Sequence, residues 1–276
     1  MEEDSTPILL FKYGGNAMTD PALKHALLDE ICQWKDRGYH VVIVHGGGPF
    51  IQDILQQLHI KSEFVDGLRK TSAQAMTYIE MALKGQVNGD LVSLINALGH
   101  SAVGLSGKDG KTVLAEKIQH TTIINDKPSR VDLGFVGKIK KVDITLLKLL
   151  LDQDYIPVVA CIGADDLGRT YNINGDIMAG HLAGALKVHS FVLLTDVNGL
   201  YADKNDPATK FNTLLKSDIP RLVENGTIQG GMLPKLEACV QALEMGAGSA
   251  RIMNGTKPEL MQDFNSDEVG TKIINA

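Results

Sequence analysis

Short apolar runs rich in valine and isoleucine recur along the chain: PILLFKY (7–13), HVVIVH (40–45), HSAVGLS (100–106), YIPVVACIG (155–163), SFVLLTD (190–196) and ARIMN (250–254). Runs of this kind, separated by helical stretches, indicate crossover connections and a largely parallel sheet covered on both faces. One intervening stretch, PALKHALLDEICQWKDRG (21–38), sets Leu23, Leu27, Ile31 and Trp34 on one face of an amphipathic helix, with Gly38 as its stop. The pattern predicts an α/β fold. Residues 107–141 break the rhythm, because Gly, Asp, Pro and charged residues cut them into short pieces; hairpins beside the main sheet are expected there. No low-complexity linker and no repeat divides the chain, so the expectation is two lobes sharing one sheet, with a border near residue 175.

Composition narrows the class further. With 276 residues, 44% of them hydrophobic, the chain can bury a full α/β core. A net charge of −6 without a cluster of basic residues lacks the electrostatic footprint that nucleic acid requires. The start, MEEDSTP, is acidic where a secretory leader is basic and then apolar, and no run approaches the ~20 apolar residues of a membrane span. A cytoplasmic protein with neither a nucleic-acid nor a membrane partner is expected. Cys32, Cys161 and Cys239 are far apart and form no C-x-x-C pair, so they read as reduced core residues; no H-E-x-x-H pattern supports zinc.

The candidate chemistry lies where the apolar runs end. HVVIVH empties into Gly46, Gly47, Gly48 and Pro49. One glycine would make a tight turn; three also let backbone N–H groups approach an anion, and Pro49 suits the first turn of a helix whose N-terminus favours negative charge. Both readings stay open at this level. Neither standard phosphate motif applies: G-x-x-x-x-G-K-[ST] is absent, and Ile51 occupies the third position of a dinucleotide fingerprint. A second glycine pair follows the first run in KYGG (12–15), just after Lys12. In GGMLPKLEACVQAL, Pro234 marks a first helical turn, so Lys235 sits where the helix dipole disfavours a cation; a bound anion would explain it, and so would a tolerated surface lysine. Asn172, Asn174 and Asp176 alternate before a small-residue helix, and capping needs only one of them. Asp196 followed by Asn198-Gly199 is either a turn or a loop lying under a nucleotide.

Taken in order, KYGG (12–15), HGGGP (45–49), GLRKT (67–71), GKDG (107–110), NINGD (172–176), DVNGLY (196–201) and GGMLPK (230–235) resemble the amino acid kinase family, from about residue 7 to the C-terminus. Within it, they are most similar to the members that act on N-acetyl-L-glutamate. The resemblance implies a three-layer α/β/α sandwich with a mainly parallel central sheet. It assigns residues 1–175 to acceptor binding and dimerisation and residues 176–276 to ATP. The implied reaction moves a phosphoryl group from ATP, with its Mg²⁺, to the side-chain carboxylate of N-acetyl-L-glutamate, in arginine biosynthesis. Lys12 and Lys235 are then the residues stabilising the transition state, and Asp176 orients both. Arg69 and Asn172 would hold the acceptor's α-carboxylate, Gly47 and Gly48 would contact the acceptor, and Gly14, Gly15 and Gly47 the transferred phosphoryl. Asp196, Val197, Asn198, Gly199, Leu200 and Tyr201, with Thr227, Ile228 and Gln229, would bind nucleotide; Mg²⁺ would arrive on ATP and need no metal site of the protein's own. A homodimer without strong arginine feedback is expected. Acetylaminoadipate, one methylene longer, is the alternative acceptor, and a non-catalytic anion-binding protein the alternative of another class. Lys70 departs from the valine found in many relatives.

The implied chemistry needs little else from the side chains. A carboxylate of pKa about 4.3 is ionised at neutral pH, so no general base has to prepare it. Phosphoryl transfer depends on positioning and on positive charge at the phosphoryl oxygens.

Overall fold

The computed structural model describes residues 6–124 and 127–275; the acidic start (1–5) and Asn125-Asp126, inside the region read as hairpins, lie outside them. The six apolar runs become six parallel strands of one sheet: β1 (Ile8–Tyr13), β2 (His40–His45), β3 (Ala102–Ser106), β4 (Ile156–Ala160), β5 (Ser190–Thr195) and, after β6 (Thr213–Leu215), β7 (Ala250–Asn254). With β8 (Thr271–Ile274) the order is β6-β8-β7-β5-β1-β2-β4-β3. Strand β8 runs antiparallel to β7, and β6 runs parallel to β8. Neither of these two shows in the hydrophobic pattern. Both are short, and exposed or half-buried residues alternate with buried ones in each, so no continuous apolar run marks them.

Strand parity sorts the side chains into two layers. Leu10, Val42, Val44 and Leu193 face a core shared with α2 (Gly48–Gln57), α3 (Ala73–Glu80), α5 (Thr145–Asp152), α6 (Gly175–Leu186), α7 (Ile219–Glu224) and α8 (Leu233–Glu244). Leu9, Phe11, Val41 and Ile43 face the opposite core, shared with α1 (Pro21–Asp36) and α4 (Asn88–Ala97). The result is the expected three-layer sandwich. Helix α1 is capped by Asp20, whose carboxylate accepts from Leu23 N at 2.9 Å, and Gly38 (φ 88°) takes the chain out of it. Its Leu27, Ile31 and Trp34 are buried, and the Trp34 indole donates to the Met261 carbonyl at 2.9 Å. Helices α3 and α4 are joined without a break by a π-helical segment, Met81–Val87, that nothing in the sequence pattern announces.

The region read as hairpins is built as such. Val113–Lys117 pairs antiparallel with Gly137–Val142, and His120–Ile124 with Lys127–Val131. YIPVVACIG is not one strand: it breaks at Cys161, and Ile162–Ala164 leaves β4 to join the second sheet. All three cysteines are free and buried, and burial pushes the Cys32 and Cys161 thiols up to about 12 and 11. Among the described residues no helix is long and apolar enough to cross a membrane.

Candidate active site

The carboxyl ends of β1, β2 and β5 open on one edge of the sheet, where ligands of open α/β sheets bind. Lys12, next to last in β1, has the parity of Leu10 and so points to the α6 side. Its ammonium lies 2.9 Å from Asp176 Oδ1, while Lys235 in the first turn of α8 donates to Asp176 Oδ2 at 2.9 Å. Residues 12, 176 and 235 are thus brought onto one carboxylate. The Lys12 contact is an ion pair without an aligned hydrogen bond, whereas the Lys235 contact is both. Asp176 is only 7% exposed. Burial pushes its carboxyl up, but Lys12 first and Lys235 second outweigh this and hold it below the ordinary carboxylate range. Two ammoniums against one carboxylate leave a local excess of positive charge.

The sequence AGHLAGAL explains why α6 and α8 bring their N-termini so close. A Cβ on Gly180 would sit 2.5 Å from the Ala238 carbonyl oxygen, and one on Gly184 would sit 2.4 Å from Met245 Cβ. Only glycine permits that approach. It also resolves the oddly placed Lys235: its unfavourable interaction with the α8 dipole is offset by Asp176, which the α6 dipole favours. Within NINGD the three polar residues divide the work. Asn174 caps α6, accepting from Asp176 N at 2.9 Å and Ile177 N at 3.2 Å; Asp176 pairs the lysines; Asn172 lines a cleft.

Glycine backbones surround this charge centre. A Cβ on Gly14 would come within 2.7 Å of Lys12 Nζ, and one on Gly175 within 3.6 Å of Lys12 Cε and 3.7 Å of Gly46. Gly46 N donates to the Tyr13 carbonyl at 3.1 Å, joining the two glycine loops. Gly15, at φ +74°, needs the left-handed region, and a Cβ there would stand 3.1 Å from Asp196 Oδ1. Gly47 is crowded from another side: its Cβ would fall 2.5 Å from Leu83 of the π-helical segment. Gly48 opens α2, followed by Pro49.

Two clefts flank the centre. One, of about 170 Å³, is lined by Gly46, Gly47, Gly48, Arg69, Asn172 and Gly175, with Phe64, Leu68, Val136 and Ile173 as its apolar wall. Arg69 is held there by Gln52 Oε1 at 3.0 Å, by the Ser62 hydroxyl and by stacking 4.5 Å above the Phe64 ring. Sequence reasoning missed all three supports. Gln52 lies on α2; the signal for the hairpin that carries Phe64 and Arg69 was Asp66-Gly67 between two short strands, with φ of 48° and 79° at the turn. Lys70 points away from this cleft, 3.6 Å from Glu63.

The second cleft, of about 660 Å³, gathers Val197, Gly199, Leu200 and Tyr201 with Thr227, Ile228 and Gln229, and adds Asp203, Lys204, Asn205 and Met232, which the sequence did not single out. Asp196 and Asn198 lie off its wall: the first faces Gly15, and the second accepts from Asn254 Nδ2 at 2.8 Å, tying the loop to the end of β7. Met232 lies on the second cleft three residues before Lys235, and Gly175 lies on the first beside Lys12. Arg69 and Asn172 are therefore grouped with one end of the charge centre and the 197–201 and 227–229 stretches with the other.

The chain is 44% identical to an acetylglutamate kinase of Heliobacterium modesticaldum over 96% of this chain and 91% of that protein. It is 42% identical to the chloroplastic acetylglutamate kinase of Arabidopsis thaliana over 96% of this chain and 74% of that one. Its fold matches a solved carbamate kinase from Giardia lamblia bound to AMP-PNP with a TM-score of 0.72 at 17% identity, covering 99% of both chains. The model of the amino acid kinase family matches residues 7–254, and with these relatives it makes the chain a member of that family.

Proposed function

We propose that the protein transfers the γ-phosphoryl group of ATP to the side-chain carboxylate of N-acetyl-L-glutamate, forming an acyl phosphate. The observation that carries this reading is the Lys12–Asp176–Lys235 cluster, whose excess positive charge lies between a cleft with a fixed guanidinium and a cleft with loop walls. Arg69 and Asn172 fit the acceptor's α-carboxylate, and the apolar wall fits its methylenes and acetyl group. The relatives' activity agrees with that acceptor.

Two anions must meet for the reaction to occur. Lys12 and Lys235 reduce their repulsion and carry the charge that builds on the phosphoryl oxygens, while Asp176 keeps both ammoniums aimed at one point. The backbone N–H groups of the Gly14–Gly15 and Gly47–Gly48 loops supply further donors without side chains in the way. This cradle fits a polyphosphate, and Mg²⁺ arriving with ATP would neutralise further charge on its oxygens. The same reading assigns residues 1–175 to the acceptor side and 176–276 to the nucleotide side of a cytoplasmic homodimer.

A coupled ADP-release assay with acetylglutamate, acetylaminoadipate, glutamate and aspartate tests it. Acetylglutamate should give the highest kcat/KM. A preference for acetylaminoadipate would move the assignment to the longer acceptor, and ATP turnover with none of the four would refute it.

A further inference from the structure

One buried polar cluster beside the site has no part in the reading above. His45, the last residue of β2, is fully buried and has the parity of Val41 and Ile43, so it lies on the α4 side of the sheet, opposite Lys12. Its Nδ1 is 2.8 Å from the carbonyl oxygen of Gly46, and its Nε2 is 2.9 Å from the Asn88 side-chain nitrogen. That nitrogen also donates to the Val158 carbonyl at 2.9 Å and approaches the Leu105 carbonyl at 3.5 Å.

The bonding pattern admits one assignment of protons. Carbonyl oxygens only accept, so the Asn88 atom facing Val158 and Leu105 is the NH₂ group. It donates to His45 Nε2, which is therefore bare, and the single ring proton sits on Nδ1 and goes to Gly46 O. Burial is the first cause that lowers the His45 pKa, to about 4, so the ring stays neutral at physiological pH. Asn88 is itself placed by two features. The π-helical segment Met81–Val87 sets the start of α4, and Gly104 in β3 leaves the room: a Cβ there would lie 2.1 Å from Asn88 Oδ1.

The consequence for the glycine loop follows from peptide geometry. In a planar trans peptide the C=O and the next N–H point in opposite directions. Drawing the Gly46 carbonyl toward His45 on the α4 side turns the Gly47 N–H toward the other side of the sheet, where Gly175 lies against both Gly46 and Lys12.

We propose that His45, locked as its Nδ1–H tautomer by Asn88, is a positioning residue that orients the Gly46–Gly47 peptide so that the Gly47 N–H faces the transferred phosphoryl group. This rests on reading the glycine cradle as the phosphoryl site.

Two substitutions in the full-length protein separate orientation from simple core filling. An asparagine amide can reach the place of Nδ1 and keep the donation to Gly46 O. A glutamine amide reaches the place of Nε2, keeping the Asn88 contact and losing Gly46. His45→Asn should hold kcat within about threefold of wild type, while His45→Gln, closer to histidine in volume, should lose at least about tenfold in kcat. In both, KM for ATP should stay within about twofold. Core filling predicts the reverse order, and His45→Gln outperforming His45→Asn would overturn the proposal.

A second readout needs no turnover and no variant that folds poorly. Long-range ¹⁵N–¹H correlation of ¹⁵N-histidine in the wild-type protein should show His45 protonated at Nδ1 and bare at Nε2, and Asn88→Asp should move a proton onto Nε2. A wild-type ring protonated at Nε2 would also overturn the proposal. If the protein instead showed the expected tautomer but phosphorylated none of the acceptors, the kinase reading would fail while the hydrogen-bond assignment stood.

Discussion

The two flanks of the lysine pair are built differently. On the Arg69 side, nearly every group is held from behind: the guanidinium by Gln52, Ser62 and Phe64, and the glycine loop by Tyr13 O and His45. On the other side, the cleft is about four times as large, and its walls are loops that bond mainly to themselves; Asp203 N donates to the Thr209 hydroxyl at 3.0 Å and Asn205 N to Asp203 Oδ1 at 2.9 Å. Val197 is 40% exposed there. A fixed cleft suits a small acceptor whose one carboxylate must sit in line, whereas an open slot suits a large nucleotide gripped mainly by backbone and apolar contacts. The lysines belong to neither flank alone, because Asp176 couples them.

Variants should separate the two flanks by what they change. The largest effect is expected at the shared centre: Lys12→Ala and Lys235→Ala should each lower kcat by about 100-fold or more with smaller changes in either KM, measured by steady-state ADP release. Next, Arg69→Lys should raise KM for acetylglutamate by about tenfold and leave KM for ATP alone, because a stacked, forked guanidinium becomes a point charge. Its counterpart on the open side is Gly199→Ala. Gly199 has φ +141°, and a Cβ there would stand 2.7 Å from Thr271 Oγ1, so the loop must shift. KM for ATP should rise by roughly fivefold, equivalent to about 1 kcal/mol, with KM for the acceptor unchanged. If Arg69→Lys and Gly199→Ala affected both substrates alike, the two clefts would not be separate.

A separate effect, on folding rather than turnover, is on stability in acid. His45 has a folded pKa of about 4 against an ordinary value of 6.5, so the unfolded chain binds the extra proton between those values. Stability contributed by the buried neutral ring is complete above pH 6.5 and is lost as pH falls toward 4. Burial lowers His181 in the same direction. Asp176 acts in a lower window: its lowered pKa keeps the ion pairs intact down to about pH 4, the ordinary carboxylate value, and they fail only below it. Urea midpoints should therefore decline between pH 6.5 and 4, with a shallower slope in His45→Asn.

The legible parts of the sequence were those in which local pattern and tertiary role coincide. Six strands announce themselves as apolar runs, five of them buried almost throughout, and Lys12, Asp176 and Lys235 lie in motifs next to glycine or proline that mark element ends. Strands β6 and β8 were not legible, because half-exposed strands of three and four residues leave too short a pattern. The supports of Arg69 and the His45–Asn88 pair were hidden for another reason. They join residues 7 to 43 positions apart, or through stacking, and Asn88 owes its place to a π-helical segment without a sequence signature. The Cys161 break was hidden as well, since apolar residues continue straight through it.

The central claim is that two lysines remote in sequence act on one phosphoryl group between the clefts. A crystal structure of the protein with MgADP, aluminium fluoride and acetylglutamate tests it directly. Both Nζ atoms should lie about 3 Å from the fluoride ligands or the bridging oxygens of the planar group, with Arg69 on the acceptor's α-carboxylate. Finding the planar group away from Asp176, or within reach of only one of the two ammoniums, would contradict the account.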